Sequence, residues 1–322
     1  MGRSRPMHCL FLIMVQSFLT IAAQTSSMFL LMMIGYICGK VHIMDEVSEE
    51  HFSSLTLYLI GPSLILTSFE REFSREILSG FLLSLALSAA SVILSIFLTK
   101  WTFQKEEKKA ADVLRSGAVF TNCGMIGFAL QSSLYGSEGL FYGVAYFTAF
   151  NILVWTYGIA LFSGDGNSLN FRKALLNPSI FAIAIGLALF FTSSHLPAIL
   201  ESAVKGIGSM NTPLSMLILG CRLSHVRLRD VFVGKGLWLS AAESLVLIPL
   251  LCMLAFRALG LHGVLPIACL IGIASPAGAI TSIFAIKFKK EPNLSIRMVS
   301  MQTILSMLTM PLLISVAEMF LQ

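Results

Sequence analysis

The chain is dominated by long apolar runs separated by short polar joints. Ten are read, at about 17–39, 51–69, 78–99, 113–135, 138–162, 175–192, 200–221, 231–256, 263–286 and 293–320. A helix needs about 20 predominantly apolar residues to cross a roughly 30 Å hydrocarbon layer, and the runs are near that length. They are continuous, unlike the alternating ten-residue segments of a membrane barrel. The expected fold class is therefore an all-α polytopic membrane protein with ten transmembrane helices. Composition agrees: 56% of the residues are hydrophobic and 12% are charged, against about 25% charged in a soluble domain.

The charges give an orientation. When the 22 Lys and Arg are assigned to alternate sides, six fall on one side (Arg3, Arg5, Arg71, Arg75, Lys205, Arg257) and sixteen on the other. The positive-inside rule makes the richer side cytoplasmic, so an integral plasma-membrane (cytoplasmic-membrane) protein with both termini outside is expected. The net charge of +5 then records topology, not nucleic-acid binding. The opening stretch MGRSRPMHCLFLIMVQSFLTIAAQ has the basic, apolar and small-residue order of a signal peptide. The favoured reading is an amphipathic or over-long start of the first helix, or a translation start placed too early. The six cysteines lie in or beside apolar runs, with no CxxC pair and no histidine at metal-ligand spacing, and read as small apolar packers. No metal site and no cofactor is expected.

An internal repeat emerges when the chain is cut after residue 163. Ile34-Gly35 and Ile185-Gly186 each have their glycine 27 residues before a proline, Pro62 and Pro213. Gly124 then follows Pro62 by 62 residues, and Gly278 follows Pro213 by 65. The division is 1–163 as a first five-helix repeat, 164–174 as a cytoplasmic linker containing the turn-rich GDGNS, and 175–322 as a second repeat. An odd number of spans makes the second repeat inverted, and inverted repeats with broken helices characterise secondary transporters.

The fourth and ninth runs are interrupted near their centres, by VFTNCGMIGF and by IASPAGAITS. Ser followed by Pro is a helix-start pattern, because the hydroxyl caps free amides and proline lacks one; Asn122 offers the same cap in the first half. Two half-helix N-termini carry partial positive charge and unpaired N–H groups, which is the chemistry of an anion site. The candidate binding residues are Asn122, Cys123, Gly124, Ser275, Pro276, Ala277, Gly278 and Thr281, with Thr121 and Ser282 flanking and Asn151 and Gln302 from spans five and ten. Glu243 is the one carboxylate well inside a run. An intramembrane acid is costly and points to function, here as the carrier of a coupling proton or a ligand for a coupling cation; a protonated structural Glu is the bland reading. GYICG at 35–39 fits close helix packing.

The chain resembles the auxin efflux carrier family, which includes plant PIN proteins and bacterial malate or malonate permease-like carriers. The residues that carry the resemblance are MFLLMMIGYICGKVHIM, Pro62, TNCGMIGFAL, YGSEGLFYGVAYFTAFNILVWTYGIALFSG, IASPAGAITSIFAIKF and QTILSMLTMPLLISV. The resemblance implies a 5+5 inverted fold with crossing helices four and nine, a scaffold of spans one, two, six and seven, elevator-like motion and a homodimer. It places the family's crossover asparagine at Asn122 and its crossover proline at Pro276. The chain departs from the plant carriers in its short central linker and in the lack of an acid in its third span, where Glu243 of the eighth span stands as the possible substitute. The expected substrate is accordingly a small organic anion, a mono- or dicarboxylate, moved with H⁺ or Na⁺ or without a coupling ion. The alternatives are a non-transporting ligand sensor using the same pocket and an intramembrane enzyme, for which no HExxH or Ser/His constellation is present.

Overall fold

The structure is a computed structural model that describes residues 7–164 and 178–321. The described residues are almost wholly helical. The elements are α1 (Met7–Lys40), α2 (Glu46–Leu55), α3 (Gly61–Ser68), α4 (Arg75–Thr102), α5 (Lys108–Val119), α6 (Phe128–Leu153), α7 (Ile159–Ser163) and α8 (Pro178–Thr192). They continue with α9 (Ala198–Ser209), α10 (Asn211–Ser224), α11 (Leu228–Val231), α12 (Lys235–Ala242), α13 (Ile248–Ala258), α14 (Val264–Ala274), α15 (Ala279–Lys287) and α16 (Pro292–Leu321). Single π-helical turns at Thr56–Ile60, Cys123–Gly127, Val154–Gly158 and Glu243–Leu247 precede α3, α6, α7 and α13.

α4 states the solvent most clearly. Its start is set by Ser74, whose hydroxyl accepts from the Ile77 amide at 3.1 Å, and Lys100 in the last turn complements the helix dipole. Its buried face is the row Ser84, Ser88, Ser91, Ser95 and Thr99. The last four donate to carbonyls three or four residues back, and Ser84 donates to Tyr142 O of α6 at 3.0 Å. The outward residues are apolar: Phe97 is 59% exposed, Ile93 56% and Leu82 53%, while Ser88 is 0% exposed. In water this arrangement is inverted; in lipid, where small polar residues mediate helix contact, it is the stable one.

Small residues also decide the helix pairs. α1 lies along α10. A side chain at Gly35 would overlap the Leu217 backbone, one at Gly39 the Ser224 side chain, and one at Gly220 the Met32 carbonyl. In the other half α8 and α9 pack on α3, with Gly186 against the Phe69 ring and Gly208 against the Leu64 backbone. The two glycine positions of the sequence repeat, 35 and 186, thus each face the helix segment that follows the other half's proline.

Several boundaries differ from the sequence reading. The helices long and apolar enough to cross a membrane, among the described residues, are Arg75–Thr102, Cys123–Ser163, Lys235–Ala258 and Pro292–Leu321. The expected joint at 136–137 is a kink at Gly136 (φ 56°, ψ −140°) inside α6, a left-handed conformation that glycine adopts without steric cost. The expected run 200–221 is interrupted at Met210, which separates α9 from α10. α1 is continuous from Met7 through the described part of the stretch read as a leader. The linker 164–174 lies outside the described residues, apart from Gly164, which ends α7 at φ 74°.

Filling the α1–α10 contact should be costly. Gly35→Val and Gly220→Val are expected to lower stability by about 1–3 kcal/mol each through overpacking, read as a lower melting temperature in detergent. Gly206→Ala, with nothing within 4 Å of the added carbon, should leave it unchanged or slightly higher.

Candidate functional site

The two interrupted runs meet. α5 ends at Val119 and α14 at Ala274, and the chain segments beyond them cross, with Thr121 and Ala277 paired in an isolated antiparallel bridge. The Asn122 amide donates to Pro276 O at 2.6 Å, and the Gly278 amide to Phe120 O at 2.8 Å. Each break supplies the hydrogen bonds that the other lacks. The approach is close enough that a side-chain carbon on Gly278 would stand 2.9 Å from the Thr121 carbonyl oxygen.

The helix-start roles differ from the sequence reading. Ser275 is extended (φ −61°, ψ 143°) and ends α14; its hydroxyl donates back to Ile271 O at 2.8 Å. Proline disfavours helical backbone at the residue before it, so Ser275-Pro276 stops one helix instead of starting the next. Gly278 occupies the N-cap of α15 without a side-chain cap, and the Asn122 side chain caps nothing at the Cys123 turn.

Side chains from neighbouring helices fix the crossing. Gln302 of α16 accepts from the Ala277 amide at 2.9 Å and donates to Ser240 Oγ at 3.2 Å, and Ser240 donates to Leu114 O at 3.0 Å. Thr121 Oγ1 donates to Gly272 O at 2.9 Å, and Ser116 of α5 bonds Thr281 of α15 at 2.8 Å. On the basic face, Lys290 pairs with buried Asp112 at 2.6 Å and donates to Leu161 O at 3.1 Å, tying the outer ends of both interrupted helices together.

What the crossing leaves open is the first turn of each inner half-helix. Among the described residues, no oxygen accepts from the Cys123, Gly124, Met125, Ala279 or Ile280 amides. Gly124, Met125, Ala279 and Ile280 are also partly exposed, whereas Cys123, Ser275, Pro276, Ala277, Gly278, Thr281 and Gln302 are buried. Partly freed amides at two helix N-termini attract anions. A small cavity of about 40 Å³ touches this region where Ile126 and Leu130 face Met28 and Met32 of α1 and Met216 of α10. A larger apolar cavity, about 740 Å³, lies between α1, α10 and α16 at Leu30, Met33, Tyr36, Leu223 and Met307, away from the crossing.

The expected residues thus separate into groups. Asn122, Pro276, Ala277 and Gly278 build the crossing itself, and Gly124 lies in the open first turn beyond it. Thr281 and Gln302 hold it from behind, so Gln302 positions the backbone instead of facing the opening. Asn151 donates to Phe147 O at 2.8 Å, one turn from the Phe147 ring that lies against Gly124. Glu243 opens the π-helical turn after α12; its Oε1 accepts from Thr102 Oγ1 at 2.5 Å, and its Oε2 is buried without a partner among the described residues. Thr102 is the last residue of α4, so the acid stands closer to the basic face than the crossing does. Ser240, one turn earlier on α12, bonds Gln302. Ser240 and Ser116 were not singled out in the sequence, because a serine in an apolar run carries no local sign of a partner 62 or 165 residues away. Gln131, a long amide in the fourth run that the sequence reading did not single out, donates from α6 to Ala268 O of α14 at 2.8 Å.

Helices that expose aromatic and aliphatic side chains while burying serines, with two of them broken and crossed inside the bundle, define an integral membrane protein of the broken-helix kind. The family model described as membrane transport protein matches twice, over residues 20–172 and 167–314. The chain belongs to this family, the auxin efflux carrier family of the resemblance. It is similar to an uncharacterized transporter of Methanothermobacter thermautotrophicus, 24% identical over 294 residues, covering 89% of this chain and 95% of that one. A second uncharacterized transporter, from Methanocaldococcus jannaschii, is 27% identical over 217 residues, covering 64% of this chain and 70% of that one.

Two substitutions test the crossing. Gln302→Leu, which orphans the Ala277 amide, is expected to cost about 1–3 kcal/mol, and Gly278→Ala a similar amount by forcing the Thr121 carbonyl away. Thermal unfolding of purified protein measures both.

Proposed function

We propose that this membrane transport protein is a secondary carrier of a small organic anion, a mono- or dicarboxylate of the malate or malonate kind. The observation that carries the reading is the pair of half-helix starts, Cys123–Met125 and Ala279–Ile280, partly exposed at Gly124, Met125, Ala279 and Ile280, whose amides lack oxygen partners among the described residues. A carboxylate offers four lone-pair sites and matches that donor set without a buried cationic side chain. Asn122, adjacent to the first start and barely exposed, is placed to add a side-chain donor.

Movement follows from the way the bundle divides. α1 with α10, and α3 with α8 and α9, form glycine-mediated contacts that suit a static scaffold. The crossing helices are bound to α4, α6, α12 and α16 by side-chain hydrogen bonds and suit a body that moves as a unit. The reciprocal placement of Gly35 and Gly186 and the double match of the family model support a 5+5 inverted repeat, with residues 1–163 and 175–322 as its halves. Alternating access then takes the elevator form, in which the crossing slides against the scaffold, and the scaffold's outer faces supply a homodimer contact.

Glu243 fits a coupling role. A carboxyl with one oxygen held by Thr102 and the other unpaired is suited to gaining and losing a proton as the moving body changes its exposure. Counterflow of labelled malonate or malate into proteoliposomes tests the transport reading. Activity is expected in the wild type and a loss of at least about tenfold in Asn122→Ala; unchanged flux in that variant and in Pro276→Ala would sink the site assignment. Glu243→Gln is expected to keep exchange while removing the response of net uptake to a pH gradient. Equal responses in the two proteins would rule out the proton role.

A further inference from the structure

The sequence reading saw no histidine at metal-ligand spacing, but folding assembles one group of donors remote from the crossing. Cys221 and His225 stand four residues apart at the end of α10, and so share one helix face. Glu49, in the first turn of α2, lies against them. Among the described residues, the carboxylate of Glu49, the Cys221 sulfur and a His225 ring nitrogen all lie within 4.8 Å of one another. Cys221 is buried, Glu49 mostly so, and His225 exposed, which leaves one open side.

We propose that Glu49, Cys221 and His225 form a Zn²⁺ site that clamps α2 onto α10. A thiolate, an imidazole and a carboxylate together suit zinc, whose tetrahedral bonds of roughly 2.0–2.3 Å require donors about 3.4–3.8 Å apart. Side-chain rotations of about 1 Å bring the three from their present spacing to that one. Arg222 leaves the site open: its Nε and Nη2 both converge on Glu49 Oε1, at 2.6 and 2.5 Å. The other oxygen can bind metal while the guanidinium orients the carboxylate, as outer partners of metal ligands do.

A water would complete the tetrahedron; Asp45 stands one turn before Glu49, at the N-cap of α2. It caps α2 through Oδ1, which accepts from the Ser48 amide at 2.8 Å and the Ser48 hydroxyl at 2.5 Å. Those bonds, with a smaller contribution from His225, hold its carboxyl below the ordinary value and keep it anionic. The clamp joins the α1–α2 connection to the glycine-packed α1–α10 pair, on the static side of the division drawn above.

Binding of Co²⁺ and Zn²⁺ to the purified full chain in detergent tests this. Co²⁺ is expected to give a thiolate charge-transfer band and tetrahedral d–d absorption in the wild type. The band should vanish in Cys221→Ser, and Zn²⁺ affinity should fall tenfold or more in Cys221→Ser and in the exposed variant His225→Ala, each judged folded by an unaltered elution profile. Zn²⁺ should also raise the melting temperature of the wild type and not of Cys221→Ser. Equal Zn²⁺ affinity in all three proteins, or Co²⁺ binding without a thiolate band, would overturn the site.

Discussion

The structure depends on two backbone hydrogen bonds, from Asn122 to Pro276 and from Gly278 to Phe120. A break in a buried membrane helix frees amides and carbonyls that the hydrocarbon cannot satisfy, each at a cost of several kcal/mol. One break alone is expensive. Two breaks laid across each other share the deficit, because each extended segment serves as the other's strand partner. The surrounding serines, threonines and glutamines then hold the crossing in place, and the inner half-helices keep their first amides for something else.

That constraint explains why α14 and α15, of 11 and 9 residues, are each too short to span a membrane alone. It also explains the placement of polar residues. The serine row of α4 reaches α6 and α14 through Ser84, which bonds both Tyr142 O and the Cys269 sulfur. Gln131 and Gln302 each bond the α14–α15 backbone from a different helix. Such buried amides and hydroxyls make the body around the crossing cohesive, as the proposed elevator motion requires, whereas the α1–α10 pair is held by close backbone approach.

Much of this was legible in the sequence, for a physical reason: apolar run length and helix breakers are local signals. The membrane class, the interruptions at 121–124 and 275–278, and the packing role of Gly35 and Gly39 all follow from a few adjacent residues. What the sequence could not convey is partnership. Ser275-Pro276 reads as a helix start, but the proline holds Ser275 extended and ends the helix, and the proline carbonyl is taken by the distant Asn122 amide. Gln302 reads as a pocket lining and proves to be a strut. Cys221 reads as a packer until α2 brings Glu49 beside it, 172 residues away in the chain.

The central claim is that the two interruptions pair with each other. In an antiparallel bridge of this register, Thr121 and Ala277 form the close, non-hydrogen-bonded pair, with side-chain carbons about 4.5–5.5 Å apart, near the separation that a disulfide spans. The direct measurement is cross-linking of Thr121→Cys with Ala277→Cys in full-length protein whose native cysteines have been replaced, read by mass spectrometry of the linked peptides. Crossed helices predict a 121–277 disulfide under mild oxidation in native membranes. Two free thiols at these positions, with both cysteines reactive only after unfolding, would contradict the crossing and the site built on it.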